Sequence, residues 1–313
     1  MYKKLIFSAF ALGCSGTLPG VSGGLPQTRD SGAGDADARA AHQASSVAVS
    51  TPVTLFSAQS DFNRVLVQEE DGRRELLFEP SLAIQSSIRV GQPLDLRLAY
   101  TRAAMVALAA HPAPKRVLIV GLGGGAMPMF LRAVDPALAI DVVEIDPLVV
   151  RLAREFMGFV EDRRLQVHVG CGRRFIEEST QRYDIVFLDA YGPSDIPVAL
   201  TTVEFLRTVR ARLQPNGIVA GNVWSPTFNE LYEAMHQSYR EAFGPHLCVL
   251  DAEGSGNRIF LARQDASPFD WSPIVRRAHA LTRDKRLPFD LAELARPGCL
   301  VEPPFEAEAL RDE

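Results

Sequence analysis

The chain has 313 residues, 47% of them apolar, with 33 Lys and Arg against 38 Asp and Glu and a net charge of −5. This is enough apolar material for one large domain or two modest ones, and the charge gives no electrostatic reason to expect nucleic acid as a partner. No apolar run is long enough for a membrane-spanning helix, and the four cysteines, Cys14, Cys171, Cys248 and Cys299, fall into neither a metal-ligand spacing nor a disulfide framework.

Residues 1–14, MYKKLIFSAFALGC, place Lys3 and Lys4 before a short apolar run and close on Gly13-Cys14. That is the outline of a secretory signal. It also resembles a bacterial lipoprotein signal, with Cys14 as the lipidated residue and Ala11 where that motif usually has leucine. The expectation is a protein of the cell envelope in preference to a cytoplasmic one, with a lipid anchor through Cys14 as one option. From Ser15 to about Pro52 the chain is rich in Gly, Ala, Ser and Asp. Such a stretch cannot offset its ordering entropy by burial, so residues 15–55 are expected to be a disordered linker.

Residues 56–95 read as a small β-domain. Residues 62–68 and 75–78 alternate as strands about the turn Glu70-Asp71-Gly72, and residues 82–90 supply a third strand. The main domain is expected over residues 96–265. Leu94, Leu98, Met105 and Leu108 recur at helical spacing, and Pro112 and Pro114 end that helix. The next stretch, VLIVGLGGGAMPMFLRAVDPALAIDVVEID, organises the chain. Residues 117–120 are a short β-branched run, the mark of a buried parallel strand. Gly121, Gly123, Gly124 and Gly125 allow a tight turn close to a ligand. A helix follows, and the strand 140–145 carries Glu144, with Asp146 just past it. A carboxylate about 20 residues beyond such a turn is where a ribose is held by its hydroxyls. A dinucleotide fingerprint stays open on this stretch alone, with Ala126 in the third glycine's place.

Further on, a helix over 148–159 precedes a strand over 165–169 that ends in Gly170-Cys171-Gly172. The strand 185–188 ends at Asp189, and a loop with Tyr191 and Asp195 follows. A helix over 202–213, a strand over 218–223, a helix over 228–243 and a closing strand pair (247–250, 258–262) complete the domain. Residues 266–313 are a C-terminal extension with one or two surface helices. Alternating strands and helices imply an α/β fold with a doubly wound, mostly parallel sheet, in which ligands sit at the carboxyl ends of the strands. The glycine turn, Glu144/Asp146, Cys171-Gly172 and Asp189 all fall there.

From about residue 62 to 260 the chain resembles the spermidine synthases, the polyamine aminopropyltransferases, and more closely their divergent bacterial relatives. VLIVGLGGGAMP resembles the family's glycine motif and VVEIDPLVVRLARE its ribose motif. LQVHVGCGRRFI resembles the adenine-proximal segment, and YDIVFLDAYGP the catalytic strand and gate loop. The resemblance implies a Rossmann-like sheet of the S-adenosylmethionine-dependent methyltransferase type behind a small N-terminal β-domain. It also implies transfer of an aminopropyl group from decarboxylated S-adenosylmethionine to a small amine such as putrescine. Asp189 would be the base, and Glu144 and Asp146 would lie at the ribose. Gly121, Gly123 and Gly125 would let the backbone approach the donor, Gln85 would reach it from the lid, and Cys171 and Gly172 would lie beside adenine. Tyr100 and Tyr191 would line the amine slot. This chemistry requires no metal, and dimers and tetramers are usual in the family, so a homodimer is one option.

Four departures accompany the resemblance. Gly124 stands where the family has an aspartate facing the cationic donor, Cys171 replaces the acid near adenine, Gly192 replaces the gate loop's second acid, and Leu96-Arg97 replace an acidic pair. Two alternatives follow: an S-adenosylmethionine-dependent methyltransferase, or a non-catalytic nucleoside-binding envelope protein. Arg173-Arg174 read as a solvated helix face, and His111 and His168 as structural.

Overall fold

The computed structural model describes residues 51–80, 83–192 and 196–313. The signal-like segment with Cys14, most of the linker, and Asp195 lie outside the described residues.

Four antiparallel strands in sequential order form the small sheet: β1 (Val53–Gln59), β2 (Arg64–Glu70), β3 (Arg73–Glu79) and β4 (Ala83–Ile88). β1 starts inside the span read as linker, because its alternation is carried by residues such as Phe56 that have little apolar context in sequence. The tight Asp71-Gly72 turn between β2 and β3 matches expectation, with both residues at positive φ. Val65, Val67, Leu76 and Phe78 point from this sheet onto Val149, Leu152 and Met157.

The expected helix over 94–111 is instead two short ones, α1 (Ala99–Ala104) and α2 (Val106–Ala110). Then follow β5 (Arg116–Val120), α3 (Ala126–Val134), β6 (Ala139–Glu144), α4 (Pro147–Glu155), β7 (Leu165–Val169), α5 (Gly172–Glu178) and β8 (Tyr183–Leu188). After a 3-10 turn at Val198–Leu200 come α6 (Val203–Ala211), β9 (Leu213–Trp224), α7 (Tyr232–Phe243), β10 (Cys248–Ala252) and β11 (Asn257–Arg263). The last helices are α8 (Trp271–Lys285) and α9 (Leu291–Ala295).

The large sheet has seven strands in the order β10-β11-β9-β8-β5-β6-β7. β7, β6, β5, β8 and β9 are parallel, and β11 and β10 close the edge antiparallel. The chain leaves β5 toward β6 and β7, then returns to lay β8 on its other side. That reversal opens a crevice at the carboxyl end of β5. Strand alternation divides the core: Val117, Ile119, Ile185 and Phe187 face α1, α2 and α8, whereas Leu118, Val120, Val186 and Leu188 face α5, α6 and α7.

The C-terminal extension carries two helices that each bury one face: Ile274 and Ala278 of α8 and Leu291, Ala292 and Ala295 of α9 pack into the first core layer, while Ser272, Arg276, His279 and Arg283 of α8 stay exposed. One expectation is corrected here. The cysteines do include a disulfide, Cys248–Cys299, which ties β10 to the segment after α9. Its 51-residue separation hides the pair from spacing rules. Residues 300–313 then run without regular structure along α7 and α6. Tyr232 donates to Glu302 (2.8 Å), Gln237 to the Phe305 carbonyl (2.8 Å) and the Val203 amide to the Leu310 carbonyl (2.9 Å). Closing so long a loop constrains the unfolded chain, so Cys299→Ser is expected to lower stability by about 2–4 kcal/mol. Thermal unfolding of the variant against the oxidised wild type checks this, and reductant should lower the wild type alone.

Candidate nucleoside and transfer site

The β5–α3 turn begins the site. Gly121 holds φ +101°, and a Cβ there would press into the Asp189 carbonyl. Its amide donates to the Val143 carbonyl at 2.8 Å, so the turn is fastened to the neighbouring strand. Gly123 faces Gln85 and Ser86 of the small sheet. Gly125 packs on Phe159, which a side chain would displace, and it does not line the cavity. Its role is to seat α3.

Glu144 closes β6 and is buried. One carboxylate oxygen accepts the Leu122 amide (2.9 Å) and the other the Asp146 amide (3.0 Å). Burial pushes its carboxyl up, and these backbone donors pull it back. The side chain therefore shapes the glycine turn while presenting its remaining acceptor capacity to the cavity. Asp146 departs from expectation. It is 1% exposed, caps α4 through the Leu148 amide (2.8 Å) and accepts from Ser60 of the small sheet, and it does not line the cavity. It is an N-cap that also joins the two sheets.

Asp189 follows β8, its amide bonded to the Val120 carbonyl at 2.8 Å. Asn222 donates to one of its oxygens at 2.8 Å, and Tyr100 points its hydroxyl at the other at 3.4 Å. Burial pushes the Asp189 carboxyl up to about 7, against the pull of Asn222 and Tyr100, and the Glu144 charge adds to the rise. Asn222 accepts in turn from Asn257 at 2.9 Å. The two asparagines are buried and form a relay that fixes the carboxylate's orientation. Sequence reading missed both; the available signal was one amide inside the apolar run IVAGNVW of β9. Tyr191 lies tilted against Trp224 with centroids 5.1 Å apart and donates to the Asn222 carbonyl at 3.0 Å. It packs the loop and lines the cavity at once.

Gln85, Tyr100, Gly121, Gly123, Glu144, Cys171, Gly172, Asp189 and Tyr191 share one cavity of about 220 Å³. Its wall is largely apolar, with Leu122, Met127, Ile145 and Leu200 among the lining side chains. Cys171 is an exposed free thiol at the N-cap of α5, and Gly172 leaves no room for a Cβ beside Val120. At Gly124 a Cβ would lie 2.7 Å from Ser86 Oγ and from Met157 Cε. The aspartate absent from this position thus has its space filled by neighbours. Arg173 is not a solvated residue: it donates to the Ala199 carbonyl (3.1 Å) of the gate segment, to Glu177 (2.8 Å) and to Asp312 (2.7 Å). His111 and His168 lie outside the cavity, His168 beside Asp141 at 3.3 Å.

The profile of the spermine/spermidine synthase domain matches residues 98–249. The polyamine aminopropyltransferase of Vibrio vulnificus is 34% identical over 194 residues, covering 60% of this chain and 64% of that one. That of Chromobacterium violaceum is 30% identical over 214 residues, covering 68% of this chain and 81% of its own length. Among solved structures, a probable spermidine synthase from Corynebacterium glutamicum superposes with a TM-score of 0.64 at 22% identity, over 84% of this chain and 98% of that one. Human methyltransferase-like protein 13 in complex with SAH gives a TM-score of 0.55 at 28% identity, over 61% of this chain and 94% of that one. The matched span, residues 98–249, contains the glycine turn, Glu144 and Asp189.

Proposed function

Because the chain belongs to the spermine/spermidine synthase family of polyamine aminopropyltransferases, we propose that it transfers an aminopropyl group from decarboxylated S-adenosylmethionine to a small amine, with Asp189 as the base. The observation that carries this reading is the placement of Glu144 and Asp189 on one cavity, on either side of the glycine turn. Glu144 grips the ribose hydroxyls of the sulfonium nucleoside, and Gln85 approaches it from the small sheet. An acceptor amine is mostly protonated in neutral water and cannot attack in that form. The apolar wall disfavours the ammonium, and Asp189 holds the amine and takes its proton. The nitrogen lone pair attacks the carbon attached to sulfur, a C–N bond forms, and the C–S bond breaks with its electron pair going to sulfur. Methylthioadenosine leaves as a neutral thioether. Tyr100 and Asn222 keep the carboxylate aimed at the nitrogen.

A second reading is favoured by one observation. Gly124 offers no carboxylate to the donor's propylamine, and the pair Ser86 and Met157 occupies its space. Ordinary S-adenosylmethionine would then suit the cavity as well, with methyl transfer as the reaction. Offering both donors to the purified protein with a panel of amines separates the readings. Methylthioadenosine as the product, lost in Asp189→Asn, is the expected result, and S-adenosylhomocysteine alone overturns it in favour of methyl transfer. Binding with neither product would leave a nucleoside-binding protein.

For location, the Cys248–Cys299 disulfide supports an oxidising compartment and hence the envelope. A cell fractionation comparing the wild type with Cys14→Ala checks the anchor.

A further inference from the structure

The edge of the large sheet opposite the nucleoside cavity carries a run of cations that the transfer reaction does not use. Lys115, Arg163, Arg164 and Arg182 stand immediately before or just ahead of β5, β7 and β8. Parallel strands start at one edge, so a cation placed before each is brought to the same side. Arg263, at the end of antiparallel β11, and Arg277 of α8 line the other wall. The two stretches share Arg116, Ala139 and Arg164, which makes them one continuous groove.

None of those six cations has a carboxylate within ion-pair distance among the described residues. Asp141 pairs with Arg116 at 3.0 Å and His168 at 3.3 Å, Asp184 accepts the amides of Lys115 (2.7 Å) and Arg116 (2.9 Å), and Asp270 caps α8 at the Ser272 amide (3.1 Å). Arg263 lies over the Phe269 ring at 4.7 Å with its Nε unpartnered. Burial, then the charges of Arg263 and Arg276, hold the Arg277 guanidinium below its usual range. With Arg116 the groove gathers seven cations against the three carboxylates Asp141, Asp184 and Asp270, a local positive excess on a chain of net charge −5 that attracts a polyanion.

We infer that this groove binds a phosphate chain, met first by Lys115 and Arg163 and then by the remaining donors of Arg164 and Arg182, which also hold the Ala137 (3.0 Å) and Leu213 (3.2 Å) carbonyls. Arginine suits phosphate, since its planar fork pairs two N–H groups with two oxygens of one phosphate. The groove is lined without Phe, Tyr or Trp, so it lacks the stacking platform that single-stranded nucleic acid uses. The same absence leaves it without an aromatic wedge for a bilayer. A chain of phosphates without bases or acyl tails is the occupant that fits.

The probe is medium-chain inorganic polyphosphate, titrated calorimetrically into the full chain at low salt. Arg163→Glu and Lys115→Glu each remove an exposed cation that makes no side-chain hydrogen bond, and each is expected to weaken binding by about tenfold or more. Arg240→Glu, on the exposed face of α7, should leave it unchanged. A second readout needs no variant: Lys115 and Lys285 are the lysines among the described residues, and polyphosphate should protect Lys115, not Lys285, from amine-reactive labelling. The inference is overturned by no binding, by equal losses in all three variants, by labelling of Lys115 that polyphosphate does not change, or by single-stranded RNA or anionic vesicles binding as tightly as polyphosphate.

Discussion

Asp189→Asn is expected to lower turnover by about 10²–10⁴-fold while the donor binds as before. The substitution keeps the size of the side chain, and its amide oxygen still accepts from Asn222 Nδ2, now 2.8 Å from Asp189. What is lost is the proton acceptor. The pH profile sharpens the test. Burial raises the carboxyl to about 7, so it is protonated and idle in acid, and activity should climb through that value as the base ionises. Stability runs the other way: a carboxyl whose folded pKa exceeds its unfolded value near 3.8 stabilises the fold below the lower value, and that contribution is lost as pH rises through about 7. In Asp189→Asn both inflections should vanish together. Kinetics and thermal unfolding across that range measure them, and a surviving activity inflection near 7 would assign the base elsewhere.

Glu144→Ala should abolish saturable donor binding, raising its Kd by about 100-fold or more. Two losses combine. The ribose loses a charge-assisted acceptor, about 1.5–3 kcal/mol. In addition, the amides of Leu122 and Asp146, held at 2.9 and 3.0 Å, are left buried and unpaired, which costs about 1–3 kcal/mol for each and loosens the glycine turn. Glu144→Gln keeps the shape but must turn an NH₂ toward one of those amides, so it should recover only part of the binding. Calorimetric titration with S-adenosylhomocysteine, beside a thermal melt of each variant, distinguishes lost contact from lost fold. Full affinity in Glu144→Ala would remove this residue from the ribose.

The sequence made the main domain legible because its signals are local. β-branched runs bounded by glycine mark β5 and β6, and an acid after a short apolar run marks Asp189. The positions read from the motifs meet in one cavity, except Gly124, Gly125 and Asp146. All three lie close in sequence to cavity-lining residues, and a turn or a cap moved them off the wall. What stayed hidden depends on distance along the chain. The Asn257–Asn222–Asp189 relay joins strands whose pairing the sequence does not print. The Cys248–Cys299 bond closes across two helices, and Arg173 looks solvated until Asp312 and the Ala199 carbonyl reach it. α8 reads as polar because arginines interrupt its apolar positions, and only the packing against α2 shows that Ile274 and Ala278 turn inward.

The filled space around Gly124 sets how a side chain there would be received. A Cβ would meet Ser86 Cβ at 2.9 Å, Ser86 Oγ at 2.7 Å and Met157 Cε at 2.7 Å. The methionine methyl ends a flexible chain and can swing aside, whereas Ser86 is fixed on β4, so an acid at this position would press the glycine turn away from the small sheet.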